Sequence, residues 1–295
     1  YPHKSARFRY LFSRLRETAY SIILSIAEEM RQSDFAPVSF ELSFGGRDGD
    51  LPAITVREGG ASLSVSGKVD RVDGWLHDEK LYLRVVDYKT GQKSFDLTDI
   101  RYGLGIQMLL YLFTLEREGA SYFGHPIVPC GVLYQPARSV ILRQDRGISD
   151  EKLKAALQKE LRRTGLVLGE PQILQAMEHS ALDAPCYLPV GTTKDGAVQG
   201  LLSSVVVNAA QMGKMARYID SLLHRVAREI GDGNIDADPY ARGPQDSACT
   251  YCAFASACYF DDSRDKRRPL YKTDSDEFWA LMERENGEEG HHGPE

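Results

Sequence analysis

The sequence predicts an α/β protein, and three features carry that expectation. Apolar residues near the start recur at helical spacing, residues 38–89 form strand-like runs separated by turn clusters, and helical spacing returns after residue 96 around one further strand-like run. Residues 5–33 form an amphipathic helix, with Phe8, Phe12, Leu15, Ala19, Ile22, Ile26 and Met30 three or four apart. The region of Pro37 breaks it. VSFELSF is then a strand, Gly45, Gly46, Gly49 and Asp50 mark a turn, and AITVRE is a second strand. A helix starts at Asp96 as N-cap and runs towards Glu118. Residues 126–135 are a buried strand, with Val140–Arg143 as its partner. The second half is more helical. It has a helix over Asp150–Arg163, a short one after Pro171 and a long one over Ser203–Ile230, which the Gly231–Gly233 turn ends. The expected organisation is an α/β core at 1–145, a helical extension of the same domain at 146–248, a cysteine-rich segment at 249–273 and an acidic tail at 274–295.

Between AITVRE and Asp96 lies GKVDRVDGWLHDEKLYLRVVDYKTG, which reads as a β-hairpin. The polar cluster His77, Asp78, Glu79 and Lys80 interrupts two strand-like runs and supplies the turn. A hairpin symmetric about Asp78–Glu79 sets Leu76 against Leu81, Val72 against Val85 and Asp70 against Asp87. Side chains alternate along a strand, so these pairs share one face, and Lys89 points the same way as Asp87. The other face carries Trp75 against Tyr82, and Asp73 against Arg84 as an ion pair. Directly opposed carboxylates repel. A divalent cation removes the conflict, and Mg²⁺ takes one or two carboxylates together with water and phosphate oxygens. The plainer reading is two exposed strand-end acids with a solvated lysine. The opposed second acid and the apolar stripe behind it favour the metal site.

Hydrophobic content of 42% is ordinary for a globular protein. No run is long and apolar enough to span a bilayer and no secretory pattern is present, so a cytoplasmic protein with no membrane partner is expected. The start at Tyr1 is read as that of a fragment of something longer. The formal net charge is −6, but Asp274–Glu295 alone holds eight acids and one arginine, which leaves the rest close to neutral. That tail is expected to lack structure. A near-neutral body admits nucleic acid through local basic groups such as Lys4, Arg7, Arg9, Arg14 and Arg16, which read equally well as a solvated helix face.

Three of the five cysteines, Cys249, Cys252 and Cys258, follow C-x₂-C-x₅-C. Short loops of this kind let thiolates converge on one metal centre, and disulfides are not expected in the cytoplasm. A structural zinc site or [4Fe–4S] cluster takes four protein ligands, one more than this segment holds. Cys130 and Cys186 are the remaining candidates, with nothing in their spacing to favour either. Three unrelated reduced thiols is the plainer alternative.

Taken in order, GKVDRVDGW, VDYKTG, YGLGIQMLLYL and CTYCAFASAC resemble the C-terminal nuclease domain of AddB subunits of AddAB-type helicase–nucleases, in the RecB-like branch of the PD-(D/E)XK nuclease superfamily. The resemblance runs from about SFELSFG to YCAFASACYFDD, and its specificity lies in the order of the motifs. It implies a restriction-endonuclease-like core, a central mixed sheet flanked by helices, with a helical C-terminal part and a cysteine-ligated cluster segment. It implies that Asp70 is the first acidic metal ligand, that Asp87 and Lys89 are the acid and lysine of the D-x-K motif, and that the carbonyl of Tyr88 also faces the metal. Gln107 and Tyr111 match the family's Q-x₃-Y element near the active site and the DNA strand. Read alone, Tyr111 would be core and Gln107 a surface or capping group. Cys249, Cys252 and Cys258 match three ligands of the family's [4Fe–4S] cluster. Its fourth cysteine and a histidine metal ligand are expected upstream of Tyr1, since no cysteine precedes Cys130 and the surroundings of His3 do not match that motif. Glu41, in the strand before the hairpin, could approach the metal, but a structural role is favoured.

The expected function is therefore that of a nuclease domain in a helicase–nuclease complex that processes DNA ends in double-strand-break repair by recombination. It would be an exonuclease that cuts single-stranded DNA with Mg²⁺ or Mn²⁺ beside an AddA-like subunit. No G-x₄-GK[ST] loop is present, so the chain is not the ATPase. The rivals are a catalytically silent DNA-binding or subunit-docking module and a stand-alone RecB-like exonuclease. The opposed acids argue against the first, and the match across the helical half argues against the second.

Overall fold

A computed structural model describes residues 5–47, 49–140, 142, 147–201, 204–243 and 245–288. Along the chain run α1 (Ala6–Met30), β1 (Ala36–Phe44), β2 (Ile54–Glu58), β3 (Ala61–Val65), β4 (Gly67–His77), β5 (Lys80–Lys89), α2 (Leu97–Arg101), α3 (Gln107–Phe123) and β6 (Ile127–Pro136). Then follow α4 (Asp150–Leu161), β7 (Thr164–Leu168), α5 (Pro171–Met177), β8 (Val190–Thr192), β9 (Val198–Gly200), β10 (Val205–Val207) and α6 (Ala209–Gly231). The last elements are β11 (Tyr240–Ala241), a 3₁₀ turn at Ala248–Tyr251, α7 (Ala255–Cys258), β12 (Arg268–Pro269) and α8 (Ser275–Glu288). Two compact units result. One comprises Tyr1–Ile54, Val65–Phe95 and Gln107–Met212, and the other Thr55–Ser64, Asp96–Ile106 and Gly213–Glu295.

The first unit is built on a six-stranded mixed sheet in the order β1-β4-β5-β6-β7-β10. β4 and β5 form the expected hairpin, pairing antiparallel with Arg71 against Val86, Val72 against Val85, Asp73 against Arg84 and Leu76 against Leu81. Its turn residues Asp78 and Glu79 both have positive φ, 48° and 60°. That geometry matches the right-handed twist of a two-residue hairpin, although asparagine and glycine adopt it at lower cost. β5 then runs parallel to β6 after the α3 crossover. Val72, Val85 and Val132 on one face and Val86 and Leu133 on the other are at most 1% exposed, so the middle of the sheet is covered on both faces.

Several elements differ from expectation, each for a local reason. The helix expected from Asp96 is two helices. Asp96 does cap the first, its Oδ1 accepting from Thr98 N at 2.8 Å, but Gly103 and Gly105 take left-handed φ of 74° and 66° and end it. The partner of β6 is β7, paired antiparallel from Gly131–Val167 to Tyr134–Thr164. The expected partner Val140–Arg143 forms no strand at Val140 or Leu142, and Ile141 and Arg143 lie outside the described residues. β7 and β10 lie in the stretch read as a helical extension, so the sheet reaches past residue 145. Val205–Val207 is a β-branched run, which favours a strand. The long helix starts only after Asn208, whose Oδ1 accepts from Gln211 N at 2.8 Å. The first half of α1 keeps its helical spacing but leaves Phe8, Phe12 and Leu15 between 40 and 66% exposed.

In the second unit the acidic tail is not structureless throughout. α8 covers Ser275–Glu288, with Phe278 and Met282 buried. Arg101 of α2 binds Thr273 Oγ1 and Glu277 Oε1, each at 2.9 Å. The apolar residues FWALM, diluted in a window that is mostly acidic, are enough to dock one helix.

Candidate active site

Asp70 and Asp87 come together at the open end of the β4–β5 hairpin. The pairing of β4 with β5 ends at Arg71 against Val86, and Asp70 and Asp87 are the next residue outward on each strand. Asp70 Oδ2 accepts the backbone N–H of Tyr88 at 3.0 Å, which ties it beside the residue that follows Asp87. Asp87 is 8% exposed, and Lys89 Nζ stands 2.5 Å from its Oδ2. That oxygen is buried and makes no well-angled hydrogen bond among the described residues. The ion pair and the missing hydrogen bond are compatible, because a short charge contact need not have hydrogen-bond geometry. A buried carboxylate oxygen without such a bond, beside a second carboxylate, leaves hard oxygen donors for a divalent cation. The donor set thus fits Mg²⁺ or Mn²⁺.

Tyr134 lies next to Asp87 in the parallel pairing of β5 with β6 and is nearly buried. Burial, and then the Asp87 charge, push its phenol up to about 12, so it stays neutral. Lys89 and Lys93 each place Nζ 5.9 Å from its ring centroid. Tyr88 links the site to the opposite face of the sheet, where its hydroxyl accepts from Arg71 Nη1 at 2.8 Å.

That opposite face holds a buried charge network. Asp73 binds Arg71 (2.8 Å) and Arg84 (3.0 Å), while Glu29 from α1 binds Arg84 (3.1 Å) and Arg163 (2.5 Å). All five side chains are at most 2% exposed. The Asp73–Arg84 pair is legible in the hairpin register, whereas Glu29, Arg71 and Arg163 are not. One signal was present for Glu29. The spacing 8, 12, 15, 19, 22, 26 continues to 29, which puts an acid on the apolar stripe of α1. Burial alone would raise the Glu29 carboxyl, but Arg163, Arg84 and Arg71 outweigh it and hold it below the ordinary carboxylate range.

Glu41 also gains interest. Phe40 pairs with Arg71 and Leu42 with Val69, so Glu41 lies across β1 from Asp70. Its φ of 53° is left-handed in mid-strand, a costly conformation for a residue other than glycine. It is exposed and pairs with Lys68 Nζ at 2.6 Å.

Gln107 Nε2 donates to the Tyr111 hydroxyl at 2.6 Å along α3. Tyr111 is buried edge-on to Phe44, centroids 5.2 Å apart. A Cβ on Gly67 would stand 2.8 Å from the Phe44 ring and 2.9 Å from that of Tyr111. The glycine of the GKVD motif therefore lets α3 pack against the start of the strand that carries Asp70.

The cysteines do not form the expected centre. Cys249 is half-buried, Cys252 and Cys258 are exposed, and all are free. Among the described residues no three histidine, cysteine, aspartate or glutamate side chains are placed to hold a metal ion. The described residues therefore do not fit a [4Fe–4S] cluster, because the three thiols do not converge and no fourth joins them. Cys130 is fully buried in β6, where burial pushes its thiol up and keeps it protonated. His3 and Lys4 lie outside the described residues.

Comparison with known proteins identifies the family. The pattern of the PD-(D/E)XK nuclease superfamily matches residues 1–259. The B-type subunit of the ATP-dependent helicase/deoxyribonuclease of Acetivibrio thermocellus is 33% identical over 287 residues, which cover 96% of this chain and 25% of that protein. Its namesake in Desulforudis audaxviator is 34% identical over 281 residues, 94% and 24% of the two chains. That of Thermoanaerobacter sp. is 28% identical over 288 residues, 97% and 25%. The chain thus spans about a quarter of the length of these relatives. With its mixed sheet, its hairpin acids and lysine, and a family match over most of its length, the chain belongs to the PD-(D/E)XK nuclease superfamily.

Proposed function

We propose that this chain is the nuclease domain of a helicase–nuclease that processes DNA ends for recombinational repair of double-strand breaks. It cuts phosphodiesters of single-stranded DNA, as an exonuclease, beside a partner helicase subunit in the cytoplasm. The observation that carries the reading is the placement of Asp70, Asp87 and Lys89 at one end of the β4–β5 hairpin in a chain of this family.

Asp70 and Asp87, with the carbonyl of Tyr88, would hold Mg²⁺ or Mn²⁺. Such an ion supplies Lewis acidity and counter-charge for a phosphate. Lys89 Nζ donates to a non-bridging phosphate oxygen and orients the attacking water, so charge developing on the phosphate meets a fixed cation. Tyr134, neutral and buried, walls Asp87 off from solvent on one side. Gln107 and Tyr111 brace the start of β4 and, through Gln107, reach the DNA strand. The arginines that bind Asp73 and Glu29 keep the hairpin flat against α1, which orients the two metal-facing acids.

End-labelled single-stranded DNA incubated with the full-length protein should shorten with Mg²⁺ and stay intact with excess EDTA. Cutting that EDTA does not stop, or none with either metal, would remove the reading. Iron with acid-labile sulfide in the same preparation would assign Cys249, Cys252 and Cys258 to a cluster, completed by a ligand outside the described residues. Zinc, or no metal, would deny them that role.

A further inference from the structure

Beyond Lys89 the hairpin strand runs into a cleft of about 360 Å³ in the same compact unit. Its walls carry Lys89, Lys93, Arg138, Lys159 and Arg162 against a single carboxylate, Glu160. Asp87 pairs with Lys89, but the four other cations in one concavity repel one another and focus a positive field there. Glu160 offsets little of this, since its one ion pair among the described residues is to Arg138 at 3.4 Å and it is 47% exposed. Two guanidinium nitrogens in the wall, Nε of Arg138 and Nε of Arg162, are buried without a hydrogen-bond partner among the described residues. Buried donors of this kind call for an acceptor. Lys93 is held in place, because its carbonyl accepts from Thr164 Oγ1 at 2.6 Å and its ammonium stands over Tyr134.

We propose that this cleft binds the phosphodiester backbone of the substrate strand next to the scissile phosphate, with Lys93, Arg138, Lys159 and Arg162 as its phosphate contacts. The inference rests on the nuclease reading above and names the subsite that leads the strand to Lys89. The chemistry of the wall selects a polyanion over a base. Tyr134 is 5% exposed and offers no free face for stacking, while the charged groups of the wall other than Glu160 are ammonium and guanidinium donors. Binding here should therefore be indifferent to base sequence and steeply dependent on salt.

Lys93 and Lys159 are exposed, so replacing both spares the fold. In Lys93→Gln/Lys159→Gln of the full-length protein, KM for a single-stranded oligonucleotide should rise about tenfold with kcat within about twofold. Measured by fluorescence anisotropy in an Asp87→Ala background, the slope of log binding constant against log salt should flatten by about 1.4, or roughly 0.7 for each lost phosphate contact. Lys93→Arg/Lys159→Arg should restore both values. If the unaltered protein cuts DNA but the glutamine variant keeps its KM and slope, the subsite is wrong and the nuclease reading stands. Loss of kcat at unchanged KM would also overturn it. If the unaltered protein does not cut, the nuclease reading falls and the subsite with it.

Discussion

Asp87→Ala is expected to lower DNA cleavage by about 10³-fold or more without lowering thermal stability. The loss follows from the role of charge in phosphoryl chemistry. Removing one preorganised electrostatic contact costs about 10²–10³ in turnover, and Asp87 pairs with Lys89 and, in the proposed site, would face the cation. The stability half of the expectation is the less obvious one. Asp87 is a buried acid with an oxygen that lacks a hydrogen bond, next to a second acid. Removing it relieves repulsion from Asp70, and Lys89, with 36% of its side chain exposed, returns to water. A melting temperature equal to or above that of the parent, with cleavage gone, separates a functional acid from a structural one. A large fall in melting temperature together with activity would make Asp87 a fold residue.

Glu29→Ala is expected to destabilise the protein by about 3–5 kcal/mol, the cost of leaving a buried charge unpaired. That is a large share of the roughly 5–15 kcal/mol that holds a domain together. Glu29 is the acid that Arg84 and Arg163 share, and both arginines are essentially inaccessible to water. Glu29→Gln keeps the shape and some hydrogen bonding, so it should cost less. The arginines hold the folded carboxyl below its ordinary value of 4.5. Its contribution is therefore complete above about pH 4.5 and is lost as the pH falls through the lower folded value. Urea melts at pH 7 and across pH 5 to 3 check both points. The parent should weaken as the acid is protonated, and Glu29→Gln should weaken less over that range. A Glu29→Ala variant as stable as the parent would show that α1 does not anchor the sheet through this network.

The hairpin was legible from sequence because two signals agreed there. Period-two alternation ran into a polar turn, and the symmetric register put Asp73 against Arg84, where the structure has it between Arg84 and Arg71. Glu29 and Arg163 were out of reach because they meet from positions 134 residues apart, and no local pattern encodes such a pairing. β7 was missed because a short strand inside a mixed sheet is apolar on both faces and shows no alternation, and β10 because three valines at the sheet edge run straight into a helical pattern. The break after α2 depends on two glycines with left-handed φ, which a helical window tolerates on paper. Cysteine spacing indicates what a loop could do once a metal is present, and the placement of the thiols does not follow from it.

In the proposed site Asp70 and Asp87 hold the divalent ion jointly. Electron paramagnetic resonance of Mn²⁺ titrated into the full-length protein, and into its Asp70→Asn and Asp87→Asn variants, tests it most directly. The parent should remove free Mn²⁺ signal at a site that Mg²⁺ competes for, and each variant should lose that site while remaining folded. Equal Mn²⁺ uptake by all three proteins would contradict it.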